Sequence, residues 1–170
     1  MTFTDYLIDS LLVLLVLQQI KPTTLTNRLL IRPLVIVAGA VAGYLHGIPT
    51  AGNDLALIAA LGLLGATLGI ASGRATIMHT LNDGTITVRA GWSAAILWVC
   101  GMGARFGFIW WITHTGTTTI AHFSAAHAIT SSQAWTVALL AMAVSEVLGR
   151  TLVLTARRHH LQQNPAAALA

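Results

Sequence analysis

The sequence predicts an all-α integral membrane protein, a five-transmembrane-helix bundle with a small cytoplasmic β-hairpin between the third and fourth helices. Three observations predict this fold. Hydrophobic residues make up 55% of the 170 residues and charged residues only 8%, whereas a soluble domain carries about 25% charged residues. The apolar residues come in blocks of roughly the 20 residues that a spanning helix needs. Basic residues flank these blocks on alternating connectors, which is typical of a multi-pass topology.

Five apolar blocks give the predicted spans. They cover about residues 3–19, 34–47, 55–72, 92–113 and 134–156. The first block is expected to be a retained helix rather than a signal peptide, because its leader carries Asp5 and Asp9 but no Lys or Arg. Residues 1–156 are therefore predicted to form one transmembrane domain, and residues 157–170 a cytoplasmic tail.

The basic residues predict the orientation of the chain. If five helices alternate in direction, three connecting regions place their Lys and Arg on one side: Lys21, Arg28, Arg32, Arg74, Arg89, Arg157 and Arg158. Because cytoplasmic loops carry the excess of Lys and Arg, we expect an outer N-terminus and an inner C-terminus in a bacterial cytoplasmic membrane. The formal charge of +4 does not indicate a nucleic-acid partner, since these residues lie beside span ends and not on one surface. The predicted partners are the lipid bilayer and, for an accessory role, another membrane protein.

Two connectors carry further structure in this prediction. Polar and apolar residues alternate on both sides of the tight turn Asn82-Asp83-Gly84, from Thr76 to Arg89, which predicts a β-hairpin. The connector after the fourth span is polar, and we expect a short amphipathic segment at about residues 120–129 to lie on the surface.

Glycines repeat every four residues in the second and third predicted spans. The two ridges are Gly39, Gly43 and Gly47, and Gly65, Gly69 and Gly73. Small residues at this spacing let another helix backbone approach closely, which is how apolar helices associate in lipid. The pattern predicts that these helices pack tightly, either against each other or across a homodimer.

Charged residues inside the spans form the first candidate site. At 1.5 Å per residue, Asp9 and Arg105 lie at similar depths from the outer ends of their helices, which predicts an ion pair. Glu146 and Arg150 are four residues apart on the fifth helix and are expected to form a second pair. Trp98 is expected to line a cavity with Arg105 as its floor. Such charges mark functional sites, although both pairs are also compatible with a purely structural role.

Four histidines on the predicted outer side form the second candidate site. They are His46, His114, His122 and His127. Neutral imidazole binds divalent metals and haem, so convergence of these residues would supply either cofactor. Against this, His122 and His127 are five residues apart and do not share one helix face, and no HExxH or CxxCH motif is present. Interfacial hydrogen bonding is the alternative. The single cysteine, Cys100, excludes an intramolecular disulfide and a CxxC motif.

Several short segments resemble the CcdC-type family of small bacterial multi-pass membrane proteins. The resemblance rests on Lys21-Pro22, Arg28, Arg32-Pro33, the end of the third span from Gly69 to Arg74, the LNDGTITVR hairpin, and Trp98 with Arg105. That family is associated with cytochrome c biogenesis, so the resemblance implies a link to cytochrome or haem handling. It also implies that Arg74 and Arg105 are the positions of greatest importance.

These observations predict an accessory or binding component of the membrane with an intramembrane polar site. Two alternatives remain open at this point. One is a small carrier that binds an anion or a proton at the Asp/Arg site. The other is a membrane enzyme whose outer histidines hold a metal.

Overall fold

The computed structural model describes residues 23–24, 26–44, 47–80 and 85–163. Most of these residues are helical. In chain order the elements are β1 (Thr23–Thr24), α1 (Asn27–Tyr44), α2 (Asp54–Ala75), β2 (Thr76–Thr80), β3 (Ile86–Ala90), α3 (Trp92–Trp111), a π-helical turn (Ile112–Gly116), α4 (Thr117–Ala126) and α5 (Ser132–Gln163). The helical class predicted from composition is therefore confirmed.

Three helical segments in the described ranges have the length and apolar composition to cross a membrane. They are Asp54–Ala75, Trp92–Ala126 and Ser132–Gln163, and a shorter apolar helix covers residues 30–43. The first predicted span lies outside the described residues. A helical membrane protein is thus supported, while the count of five spans and the orientation stay predictions.

Two helix ends differ from the sequence prediction. The fourth predicted span does not end near residue 113: helix continues from α3 through the π-helical turn into α4 without interruption. The amphipathic segment predicted at residues 120–129 begins inside that helix. Likewise α5 continues to Gln163, so the predicted tail from residue 157 starts as helix. Thr, His and even Gly116 did not end the first helix, because a single Gly inside a helix costs only about 1 kcal/mol. After residue 157 no Pro follows until Pro165, so the second helix also continues.

Helices α2 and α5 form the most extensive helix contact in the described structure. A Cβ added at Gly65 would overlap the carbonyl oxygen of Met142, and one added at Gly69 would overlap that of Glu146. Farther along, a Cβ at Gly73 would lie 2.9 Å from Cβ of Val153. The glycine ridge of α2 therefore lets two backbones touch, as small residues do in membrane helices.

The partner of this ridge is α5, which the sequence did not indicate. We call the contact of α2 with α5 the glycine seam. Ser145 of α5 fastens it by donating a hydrogen bond of 2.6 Å to the carbonyl oxygen of Gly62. The other ridge, in and after α1, has no such partner among the described residues: a Cβ at Gly39, Gly43 or Gly47 meets none of their atoms within 4 Å. Homodimer formation through either ridge stays a prediction.

The predicted hairpin is confirmed, and it lies between α2 and α3. Strands β2 and β3 pair antiparallel from Thr76 opposite Ala90 to Thr80 opposite Ile86, and the short β1 adds to the outer edge of β3. The turn itself lies outside the described residues. Ile86 and Val88 are buried against side chains of α1 and α5, so the sheet closes this end of the helices.

Arg157 joins α5 to the sheet end of the bundle. Its Nη1 donates to the carbonyl oxygens of Gly73, Arg74 and Thr76 at 3.0, 3.3 and 2.6 Å. The last carbonyls of a helix have no partner within the helix, and a guanidinium satisfies both them and the helix dipole. Arg157 is therefore a C-terminal cap for α2.

A second polar connection closes the opposite end, which we call the loop end. Asp54, at the first turn of α2, is fully buried. Its Oδ1 accepts a hydrogen bond of 2.8 Å from the backbone N–H of Thr130, and its Oδ2 accepts one of 2.5 Å from the Thr130 hydroxyl. Asn53 donates through Nδ2 to the carbonyl of His127 at 3.0 Å. These bonds tie the start of α2 to the segment between α4 and α5.

Candidate functional site

An ion pair joins α3 to α5 near the middle of the latter. Nη2 of Arg105 contacts Oε2 of Glu146. The two side chains are only 11% and 9% exposed. Because charge buried in an apolar surrounding is costly unless it is paired, this contact is the polar centre of the described bundle.

Glycines provide the space for this pair. A Cβ at Gly101 would lie 3.3 Å from Oε1 of Glu146, so α3 presents a bare backbone one turn before Arg105. On the other side, Gly69 of the glycine seam admits the backbone of Glu146 itself. Glycines of α2 and α3 therefore let both helices lie close to Glu146 of α5, and its carboxylate reaches Arg105.

Arg105 keeps hydrogen-bonding capacity that the described residues do not fill. Nη1 donates a long 3.6 Å bond to Sδ of Met102, a weak acceptor. Nε is buried and has no hydrogen-bond partner within the described ranges. A buried N–H donor without an acceptor is rare in folded proteins and requires an explanation. An acceptor from outside the described residues would explain it.

The structure shows a partner for Arg105 that the sequence did not predict, Glu146. The predicted partner, Asp9, lies outside the described residues, so an Asp9–Arg105 pair stays a prediction. Glu146 does not form the predicted ion pair with Arg150, since its one salt bridge within the described residues is to Arg105. The reason is tertiary, because α3 lies beside α5 and offers Glu146 a guanidinium across the interface.

The charges at this level do not balance within the described residues. Arg105 and Arg150 are both cations, since arginine keeps its proton in proteins. Glu146 provides one negative charge when ionised. One positive charge is therefore left over in an apolar stretch of two helices, where an anion would be stabilised.

A cleft opens beside this pair toward the loop end. Its volume is about 480 Å³. Its apolar walls come from α3 and the π-helical turn on one side and from α5 on the other, among them Phe108, Ile109, Ile112, Trp135 and Leu139. The rings of Phe108 and Trp135 are 5.4 Å apart, so an aromatic contact bridges the two helices here.

The cleft and the ion pair lie on the same helix faces. On α3, Phe108, Ile109 and Ile112 follow Arg105 at intervals of three, four and seven residues, which is one face of a helix. On α5, Glu146 follows Leu139 by seven residues, again on one face. The first cleft residue of α3 is only about 4.5 Å along the axis from Arg105. The pair therefore lies farther along the same helix faces, beyond the residues that line the cleft.

The remaining predicted residues lie elsewhere or are not described in full. Trp98 lies on α3 two turns before Arg105, toward the sheet end, and its side chain is outside the described set. Arg74 is exposed in the last turn of α2 at the sheet end. Neither residue is shown to contact the Arg105–Glu146 pair.

The described histidines form local contacts. His114 stacks on Trp110 and its Nδ1 lies 2.9 Å from the Trp110 carbonyl; His127 does the same with Phe123 at 2.9 Å. Because a carbonyl only accepts, Nδ1 is the protonated nitrogen in both rings. No group of three His, Cys, Asp or Glu that could hold a metal occurs in the described part of the chain, which includes His122 but not His46. A metal or haem site at these histidines stays a prediction.

Sequence reasoning missed three features of this region. These are the Arg105–Glu146 pairing, the cleft, and the bonds of Asp54 to Thr130. Only the last left a local signal, an acidic residue at the start of a helix. The other two depend on which helices are neighbours, and hydropathy does not show that.

Comparison with protein-family models, with curated proteins and with solved structures gave no significant match to this chain. The resemblance to the CcdC-type family is thus neither supported nor contradicted, and the site has to be interpreted from its own geometry.

Proposed function

We propose that this protein is a small polytopic membrane protein that acts as an accessory or binding component, with the Arg105–Glu146 pair as its intramembrane binding site. One observation carries the proposal: a buried ion pair with a second guanidinium nearby, and an N–H donor on Arg105 for which the described residues offer no acceptor. Charged residues inside membrane spans commonly mark ligand pathways. A pair serving only to hold helices together would not need the additional positive charge.

The proposal places the protein in a bacterial cytoplasmic membrane with the sheet end inside. Arg74, Arg89 and Arg157 gather at that end, while the described part of the loop end has no Lys or Arg. The cleft then faces the outer side. A role in cytochrome or haem handling, as the CcdC-type resemblance implies, is retained as a proposal about the biological setting and not about the ligand.

The test compares what the protein retains from its own membrane. The wild type and the double variant Arg105→Gln/Glu146→Gln are purified in mild detergent and analysed by native mass spectrometry. The double variant keeps two side chains that hydrogen-bond to each other but removes both charges. We expect the wild type to carry a bound molecule or partner that the double variant lacks. If the two proteins are both well folded and carry the same bound molecules, or none, the proposal is contradicted.

A small carrier is the second candidate. It is favoured by the few close backbone approaches between α3 and α5, because a carrier has to separate helices around its site. In liposomes containing the protein, we expect the flux of labelled benzoate to be abolished by Arg105→Gln. Unchanged flux in that variant would rule the carrier out.

A further inference from the structure

We propose that the sheet end of the protein binds the headgroup of an anionic phospholipid. The binding surface, which we call the interfacial patch, consists of four exposed side chains: Arg74, Ile77, Arg89 and Trp92. Trp92 lies 13 residues before Arg105, or about 20 Å along α3. The patch is therefore separate from the ion pair of the proposed function, and the inference goes beyond that function and does not depend on it.

The patch lies where two candidate spans end. Arg74 is in the last turn of α2 and Trp92 is the first residue of α3, and both helices have the length and apolar composition to cross a membrane. Strands β2 and β3 connect these two helix ends. The ends of spanning helices lie at the level of the lipid headgroups, where Trp is enriched. The patch is at that level whichever way the chain crosses the membrane.

The sheet contributes two members of the patch from its exposed face. Ile86 and Val88 of β3 are buried against side chains of α1 and α5. Successive residues of a strand point to opposite faces, so Arg89 lies on the other face, together with Ile77, its partner in the antiparallel register. Both side chains are exposed, Ile77 to 43%. This face therefore carries an apolar and a cationic side chain next to each other.

The helix ends meet this face at Gly91. A Cβ at Gly91 would lie 3.3 Å from Cδ1 of Ile77 and 3.5 Å from the carbonyl oxygen of Ala75. Arg74 precedes Ala75 in the chain, and Trp92 follows Gly91. The four residues of the interfacial patch therefore lie around one close contact.

The two guanidinium groups of the patch have no counter-charge within the described ranges. Neither Arg74 nor Arg89 has an ion pair or a hydrogen bond to another described residue. Both acidic residues that the structure describes, Asp54 and Glu146, have their partners elsewhere. Guanidinium binds phosphate oxygens through pairs of parallel hydrogen bonds, so a lipid phosphate satisfies these groups. The choline cation of a zwitterionic lipid would lie near the same two charges, so a headgroup with a net negative charge is preferred.

The apolar members of the patch favour a lipid over a soluble phosphate. Trp92 is 76% exposed, and exposure of so large an apolar surface to water is unfavourable. Beside a lipid, the indole ring lies among the headgroups and Ile77 contacts the start of the acyl chains. Two apolar side chains next to two cations match an amphiphile with an anionic headgroup.

The experiment measures lipid binding to the full chain in mild detergent by native mass spectrometry. The probes are dioleoyl phosphatidylglycerol and dioleoyl phosphatidylcholine, which have the same chains. We expect the wild type to bind phosphatidylglycerol about tenfold or more tightly. A basic residue near anionic lipid is worth about 1 kcal/mol, so Arg74→Gln and Arg89→Gln should each weaken phosphatidylglycerol binding about fivefold. The double variant Arg74→Gln/Arg89→Gln should lose the preference, and Arg74→Lys/Arg89→Lys should keep most of it.

Arg32→Gln is the matched control for Arg89→Gln, because it makes the same change in net charge. Arg32 is exposed on α1, and α1 packs through Leu30 against the buried face of the sheet, opposite to Arg89. We expect Arg32→Gln to keep the affinity for phosphatidylglycerol within about twofold, because Arg32 lies outside the patch. An equal loss in Arg32→Gln and Arg89→Gln would show that net charge and not the patch attracts the lipid, and would overturn the inference.

Quenching of Trp92 fluorescence locates the bound lipid. In phosphatidylcholine nanodiscs, a small fraction of phosphatidylglycerol brominated in its chains should quench more than the same fraction of brominated phosphatidylcholine. This difference should disappear in Trp92→Phe and in Arg74→Gln/Arg89→Gln. A preference that persists in the latter would overturn the inference. If soluble glycerol phosphate displaces phosphatidylglycerol at the concentration at which the lipid binds, the patch is a phosphate site and the lipid assignment is wrong.

Discussion

Helix α5 makes two contacts of different physical character, one with α2 and one with α3. At the glycine seam, backbone meets backbone through Gly65, Gly69 and Gly73. Toward α3, the contact is made by long side chains, the Arg105–Glu146 pair and the rings of Phe108 and Trp135. Where two backbones touch, the distance between the helices is fixed and no space is left between them. Long side chains, in contrast, connect helices whose backbones are farther apart. The cleft is found at the second contact for this reason.

The two contacts therefore stabilise the helices in different ways. The seam stabilises the pair α2 and α5 by van der Waals packing, the main association force in lipid. The contact of α5 with α3 is stabilised mainly by one ion pair, and removing one partner of that pair leaves the other charge buried and unpaired. Three substitutions test this assignment.

The largest effect is expected at the ion pair. Arg105→Gln or Glu146→Gln alone leaves a buried charge unpaired and should cost about 3–5 kcal/mol of unfolding free energy. The double variant should recover most of that loss, because two neutral amides replace the pair. Unfolding in mixed micelles with increasing SDS measures all three. Additive losses in the double variant would contradict the pairing.

The next effect concerns the glycine seam. Gly69→Ala places a Cβ against the Glu146 carbonyl and should destabilise the protein by about 1–3 kcal/mol or more, the cost of overpacking. Gly62→Ala is the matched control in the same helix, since its Cβ would meet no atom of the described residues within 4 Å. The same SDS titration compares them. Equal stability of the two variants would show that α2 and α5 are not in backbone contact.

The smallest effect is expected at the hydrogen bond across the seam. Ser145→Ala removes its bond to Gly62 and should cost about 0.6 kcal/mol, the average for interhelical bonds in membrane proteins. Thr67→Ala removes a hydroxyl that bonds only within its own helix and should be near neutral. A loss above about 2 kcal/mol for Ser145→Ala would mean that the seam depends on polar contacts more than on packing.

Local patterns in the sequence predicted the local parts of the structure. Alternation around a tight turn predicted strands β2 and β3, and apolar length predicted the three long helices. The pairing of Glu146 was wrong because it was inferred from i, i+4 spacing within one helix: Glu146 meets Arg105 since α3 lies beside α5, a fact of tertiary packing. The glycine ridge of α2 correctly indicated a close approach, but spacing in one helix says nothing about which helix approaches.

The most direct measurement uses spin labels and pulsed electron resonance to follow the two contacts separately. The native Cys100 on α3 is exposed, and a label at Leu152→Cys on α5 pairs with it. In a Cys100→Ser background, Leu63→Cys and Leu152→Cys report the seam from exposed positions. On adding Arg105→Gln, we expect the α3 to α5 distance distribution to broaden while the α2 to α5 distribution stays unchanged. Equal broadening of both, or no change in either, would contradict the division between a seam held by backbone contact and an α3 to α5 contact held by side chains.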